Sequence, residues 1–417
     1  MTFLRARLSG MAALSRESRL LLLMTTLFGF GYGGIGLMLR PLYVLRLGLG
    51  PAYYGAYSAL GSLAFMAGSL GAGWLGMRLG ARRSLMLGTI GCLLGSGLMP
   101  LTEFFDASLW LYWPIASNLL LSWAWAFVSV NTVPALTGVT AEENRDRAIG
   151  LANTLNGLGI LLGNLLGGAL PRAFSALLGV TAVTNDGFRL AISTALLFGV
   201  VVIALVLALP DRPTIISPTL AGGAPQSATP LLVVGLFGLF IPAASSAVST
   251  FAAPYLDQEL RLSTEAIGLV TTISQALAVL GTGATPWLAR RLTSRRGDIL
   301  AGLGMTLTLL PMAAFAHWSA AVFSRIVSSA LYTIRFPLTQ MFAMAQVRQH
   351  ERPLLSAVLF TSAGLCGTAL SFVGGRLAAS HGYQAVFWLS AAVSGVAVLL
   401  YAVTTRVLIA RGRLRRA

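Results

Sequence analysis

Apolar residues run along nearly the whole chain in blocks of 18 or more, and arginines, prolines and polar residues gather in the short stretches between them. An apolar run of that length, wound as a helix, crosses a hydrocarbon core about 30 Å thick. Breaking the chain at its charges, prolines and polar clusters predicts spans near 18–43, 53–76, 84–102, 108–134, 147–170 and 188–209. Six more follow near 231–254, 264–289, 298–316, 318–344, 353–379 and 383–408. The pattern is that of an all-α integral membrane protein of twelve transmembrane helices, with no room for a soluble domain between them.

The second half echoes the first. GWLGMRLGARR at 73–83 aligns with PWLARRLTSRR at 286–296 at a constant offset of 213, pairing Trp74 with Trp287 and Arg78 with Arg291. The same offset pairs Pro41 with Pro254, Gly55 with Gly268 and Gly68 with Gly281. A second register, 207, pairs Gly157 with Gly364, Gly167 with Gly374 and Gly168 with Gly375. A duplicated six-helix unit accounts for both registers, giving pseudo-symmetric bundles at 1–209 and 231–417. The stretch 210–230, rich in Pro, Gly, Ala, Ser and Thr, reads as the linker between them.

Composition sharpens this picture. The chain is 56% hydrophobic and only 10% charged, against about 25% charged in soluble domains. Its net charge of +16 comes entirely from arginine on the basic side. These arginines sit between apolar runs, not on one face interleaved with aromatics, which argues against a nucleic-acid partner. Most fall on the side that holds both chain ends, so both termini are expected in the cytoplasm of a cell-membrane (inner-membrane) protein. Arg16 and Arg19 precede a long apolar run with no small-residue cleavage site, which reads as a first helix and not a signal peptide. Cys92 and Cys366 lie far apart inside apolar runs, without the spacing of a disulfide framework or metal site.

Two segments carry a family resemblance. The loop after the second span has Gly73, Arg78, Gly80, Arg82 and Arg83 in the register of G-x-x-x-D-R-x-G-x-R-R, and resembles motif A of the major facilitator superfamily. Met77 stands where that motif has aspartate, so the charge-based lock the acid supplies in the family must be weaker or built otherwise. The fifth span carries Gly150, Gly159, Gly163, Gly167 and Gly168 at a spacing similar to motif C of the 12-helix drug/proton antiporter branch, with Asn164 where the motif has proline. Glycines four apart form a face without side chains, on which a neighbouring helix approaches closely and slides. The resemblance implies two rocking bundles, with Arg291 repeating the motif A arginine, no cofactor and a monomer in the lipid bilayer.

Interior polar residues mark the candidate substrate site, because they are costly in lipid and face the bundle interior. Tyr32, Asn118, Trp123, Asn156, Gln275, Arg325 and Tyr332 meet that criterion, and Arg325 is expected to face the cavity while Arg335 makes a cytoplasmic inter-helix contact. The family's helix-4 arginine position holds Asn118 or Leu119, with Arg325 at its repeat equivalent. All 13 acids fall in loops or at helix ends, so protons as the coupling ion rest on the resemblance alone; Glu103 and Asp257 are the acids closest to an outer vestibule.

The leading reading is a secondary active transporter that exports small amphipathic or lipophilic compounds by alternating access. A facilitator or importer of a small organic anion or other metabolite is the alternative, motivated by Arg325. A non-transporting sensor or partner subunit is a distant third, suggested only by the departures from motifs A and B. His317, His350 and His381 lie at helix ends or loops with no nucleophile, metal or nucleotide constellation beside them, so an enzyme is not expected.

Overall fold

The computed structural model describes residues 14–180, 184–210, 228–348 and 351–414, leaving aside the side chains of 282–290 and 353. Positions 211–227 of the predicted linker at 210–230, His350, and the Trp287 and Arg290 members of the repeated loop lie outside the described residues or side chains.

Among the described residues, twelve long helices follow one another: α1 Arg16–Arg46, α2 Gly50–Leu79, α3 Ala81–Leu98, α4 Trp113–Val139, α5 Arg145–Leu177 and α6 Asn185–Leu207. They continue as α7 Ala228–Gln258, α8 Thr264–Arg291, α9 Ser294–Ala314, α10 Trp318–Ala345, α11 Arg352–His381 and α12 Tyr383–Ala410. Among the described residues, eleven helices are long and apolar enough to cross a membrane. The twelfth, α10, has the length but carries Arg325 and Arg335. Large apolar side chains such as Leu70, Leu197, Leu280 and Val403 stand exposed along the helices, as a lipid-facing surface requires.

The fourth span starts later than the sequence pattern predicts. Leu109–Tyr112 is apolar enough to read as helix, yet short 3-10 turns occupy 99–104 and 107–109 and α4 begins at Trp113, with Pro114 in its first turn. Proline is favoured in the first helical turn, where its missing N–H costs nothing.

Helix α1 contains an unusual segment. Gly29–Gly36, with sequence GFGYGGIG, is wound as a π-helix. Five of its eight residues are glycine, which lets the backbone take the wider turn without crowding side chains.

The chain divides into two compact units. The first comprises 1–48, 60–216 and 264–272, and the second 49–59, 217–263 and 273–417. Each half thus lends one helix end to the other unit: the start of α2 packs within the second, and the start of α8 within the first. The first unit's core joins Leu21, Met24, Phe28, Leu85, Leu121, Val128 and Val202. In the second, Val233, Phe237, Phe342, Val398 and Tyr401 form a corresponding cluster.

Candidate functional site

In the first unit the glycine face of α5 is laid on α1. A Cβ at Gly163 would stand 2.9 Å from the Gly34 Cα and would run into the Phe30 carbonyl. One at Gly159 would meet the Phe30 nitrogen at 3.0 Å, and one at Gly167 would meet the Ile35 Cα at 3.2 Å. The two backbones touch along three successive turns, opposite the π segment. Asn156 extends the contact, its Nδ2 donating to the Thr25 carbonyl at 3.0 Å. Asn164 is buried and its carbonyl lies 3.0 Å from where a Cβ at Gly268 would sit. Gly150 has open space around it.

Gly168 belongs to a different contact. It faces Gly268 at the start of α8, where a Cβ on Gly268 would approach the Gly168 Cα to 2.7 Å. The second unit builds the same contact from the repeat equivalents. Gly55 of α2 faces Gly375 of α11, a Cβ on either meeting the other's Cα at 2.6 Å. Ser58 and Ser371 hydroxyls meet at 3.3 Å one turn away, and Arg172 approaches Glu265 to 3.7 Å beside the α5–α8 contact.

The predicted interior residues separate between units. Tyr32 lies within the π segment, stacked on Phe28 at 5.1 Å and against Trp125 at 3.9 Å, with the Arg40 guanidinium 4.7 Å from its ring. Asn118 is half-buried beside Gly61 of α2, and accepts a 3.4 Å bond from Ser122. Trp123 is 40% exposed and packs on Phe127 at 4.4 Å. In the second unit, Gln275 is half-buried on α8, and Tyr332 is 44% exposed beside Phe336. Arg325 is half-buried on α10 and interacts electrostatically with Tyr54, whose hydroxyl donates to the Thr250 carbonyl at 3.0 Å.

The motif A arginines are tethers and caps. Gly80 has φ +84°, the left-handed backbone that glycine adopts without strain, and turns the chain from α2 into α3. Arg82 donates to the Leu207 carbonyl at 2.8 Å and Val206 at 3.4 Å, capping the end of α6. Its repeat equivalent Arg295 reaches α12 short of its end, donating to the Ala402 carbonyl at 2.7 Å and Thr405 Oγ1 at 2.8 Å. Cationic side chains suit helix C-termini, where carbonyls lack partners. Arg78 covers the Trp74 ring at 4.0 Å; Arg83 and Arg291 are exposed, Gly73 meets no neighbour, and Met77 is exposed.

Two charged residues were not singled out from the sequence. Asp298, one of the acids near a helix end, is 2% exposed in α9 and accepts from Arg335 Nε at 2.9 Å and Thr339 Oγ1 at 2.7 Å. Arg40, inside the predicted first span, is 4% exposed within α1. Both show as mismatches in the repeat: Asp298 stands where the first half has Leu85, and Arg40 where the second has Ala253. Glu103, read as a loop charge, is held by Tyr43 at 3.1 Å, Asn185 at 2.9 Å and Arg189 at 3.6 Å.

The sequence profile of the Major Facilitator Superfamily matches residues 21–240 and again 235–415. No curated protein matches the chain. Among solved structures, the fold is similar to the xylose transporter XylE from E. coli, with TM-score 0.72 and 14% identity over 92% of this chain and 94% of that one. It is similar as well to the nucleoside transporter NupG, with TM-score 0.71 and 14% identity over 93% and 99%. An auto-inhibited peptide transporter of the POT family gives 0.71 and 12% over 94% and 97%. With both halves matched by the same profile and the twelve-helix fold shared along almost its whole length, the chain belongs to the major facilitator superfamily of membrane transporters.

Proposed function

We propose that this transporter exports small amphipathic or lipophilic compounds by alternating access, as a monomer in the cell membrane with both termini in the cytoplasm. The observation that carries this reading is the glycine face of α5, seated backbone to backbone on α1 through Gly159, Gly163 and Gly167. Its spacing is the one that resembles the antiporter motif, and a contact without side chains lets two helices slide with little steric cost. The glycine pairs 55–375 and 168–268 supply matching contacts at the lent helix ends, where small residues permit closure without holding it through large apolar surfaces. Half-exposed aromatics, Trp123 and Tyr332, suit an apolar solute.

Where protons drive the cycle, the acids to test are Glu103 and Asp298, each in contact with an arginine. The test is accumulation of a lipophilic cationic dye in efflux-deficient cells expressing the protein, with and without a protonophore. Lower accumulation that the protonophore abolishes is the expected result; accumulation equal to that of vector-only cells across a broad panel would overturn the export reading.

A second reading, transport of a small organic anion, rests on Arg325 in α10. An intramembrane arginine costs roughly 2.5–3.5 kcal/mol on insertion scales, and such residues mark substrate pathways. Uptake of an organic anion into proteoliposomes, lost in Arg325→Ala, supports it.

A further inference from the structure

Between α3 and α4 the backbone leaves the α-helix over 99–112, a stretch whose two ends the hydropathy pattern assigns to the membrane. It closes into short turns, the Leu109 N–H donating to the Asp106 carbonyl at 2.8 Å and the Tyr112 N–H to that of Leu109 at 3.0 Å. Two indoles hold these turns from inside. Trp110 Nε1 donates to the Phe105 carbonyl at 3.0 Å and Trp113 Nε1 to that of Leu98 at 2.7 Å, with the Phe105 and Trp113 rings 4.2 Å apart. What the arrangement turns outward is apolar: Phe104 is 71% exposed and Tyr112 67%, with Leu109 and Leu111 exposed as well. The Arg189 guanidinium of α6 lies 4.2 Å from the Phe104 ring, which seats the loop on α6.

The neighbouring helix says what covers this surface. Leu87, Ile90, Leu94, Leu101 and Phe104 are all exposed, and their steps of three, four and seven keep them on one face, so the lipid-facing stripe of α3 runs on into the loop. The loop joins the ends of two membrane-spanning helices by a short path and cannot rise far above the bilayer. It cannot sink into hydrocarbon either, because its backbone is irregular and Asp106 is exposed. The level between is the headgroup boundary, where amphipathic aromatic rings concentrate. The Ser15 hydroxyl donates to the Val139 carbonyl at 3.1 Å, so α4 ends beside the start of α1 and the loop lies at the opposite membrane face.

We propose that residues 104–112 form an interfacial anchor whose partner is the bilayer surface on the side opposite the start of α1. Phe104, Leu109, Leu111 and Tyr112 insert at the boundary of headgroups and acyl chains, and Asp106 points to water. Through Phe104 on Arg189, the anchor fixes the depth of α3 and α4 together with that of α6. The inference is independent of which solute the protein carries and in which direction.

The test places a nitroxide at Phe104→Cys, Leu111→Cys or Tyr112→Cys in full-length protein in lipid nanodiscs, the native Cys92 and Cys366 being buried. Power-saturation EPR then compares collisions with oxygen and with a water-soluble nickel chelate. All three labels are expected to favour oxygen, with a several-fold lower nickel accessibility than a label at Asp106→Cys. Labels as open to nickel as the one at Asp106 would put the loop in water, and labels shielded from both reagents would put it under protein; either result overturns the anchor. Hydroxyl-radical footprinting of the unmodified protein in nanodiscs decides the matter should labelling disturb the fold. Phe104 and Tyr112 are expected to oxidise several-fold more slowly there than in the free proteolytic peptide, whereas oxidation slowed by no more than their partial burial in the fold would overturn the proposal.

Discussion

At the same place in the repeat, the two halves join neighbouring helices by opposite chemistry. Leu85 of α3 and Val128 of α4 are buried in the apolar cluster of the first unit. Their equivalents at the repeat offsets of 213 and 207 are Asp298 of α9 and Arg335 of α10, an ion pair at 2.9 Å with Thr339 on the same carboxylate. One fold accepts either solution, so the ion pair is not what makes the helices pack. Elsewhere the halves agree: Gly95 of α3 lies against Leu121, where Thr308 meets Ser328 in the second half, and Gly68 and Gly281 receive the Trp123 and Ala330 carbonyls. The backbone contacts are duplicated while the chemistry set upon them has diverged.

Replacing one partner of the ion pair gives the largest expected effect. Asp298→Ala should destabilise the protein by about 3–5 kcal/mol, because it strands a buried guanidinium. The double change Asp298→Leu with Arg335→Val, which writes the first half's residues into the second, should recover most of that loss in thermal unfolding in detergent. A double variant as unstable as the single one would show that the ion pair is a requirement of packing.

Next in size is the α1–α5 contact. Gly163→Leu should abolish transport and reduce folded yield, because its side chain has to displace the Phe30 carbonyl and Gly34. Gly150→Ala, on the same helix but in open space, should leave both unchanged in fluorescence-detected chromatography and transport.

The lent helix ends should respond alike if they do the same work. Gly55→Val and Gly268→Val each place a branched side chain against a glycine Cα, and both should lower the transport rate at least tenfold while folded protein persists. An effect from only one of them would break the equivalence of the halves.

The smallest effects are expected at the paired arginine tethers. Arg82→Gln loses charge-assisted bonds to carbonyls at the end of α6 and Arg295→Gln loses bonds to the Ala402 carbonyl and Thr405 of α12, and each should cost about 1 kcal/mol of stability. A far larger loss of transport than of stability in Arg82→Gln alone would assign motif A a gating role the second half does not share.

Much of this was legible from periodicity. The apolar blocks placed all twelve helices, since a membrane interior leaves few other ways to satisfy the backbone. The repeat offsets paired Gly55 with Gly268 and Gly168 with Gly375 without revealing that the contacts run from 55 to 375 and from 268 to 168. That exchange depends on which helix ends meet, a long-range fact with no local signature. Fourth-span onset was misplaced because Leu109 and Trp113 look alike to a hydropathy pattern whether helical or turned.

The sequence by itself determined the helices, their duplication and the glycine face of α5, because each follows from side-chain size and polarity at fixed spacing. Tertiary structure decided that Asn156 binds α1 through the Thr25 carbonyl, that Asp298 has Arg335, and that Arg40 has none among the described carboxylates. A charge in a membrane helix is written in the sequence, but its energetic meaning rests on what stands within about 4 Å of it, and those neighbours come from other helices.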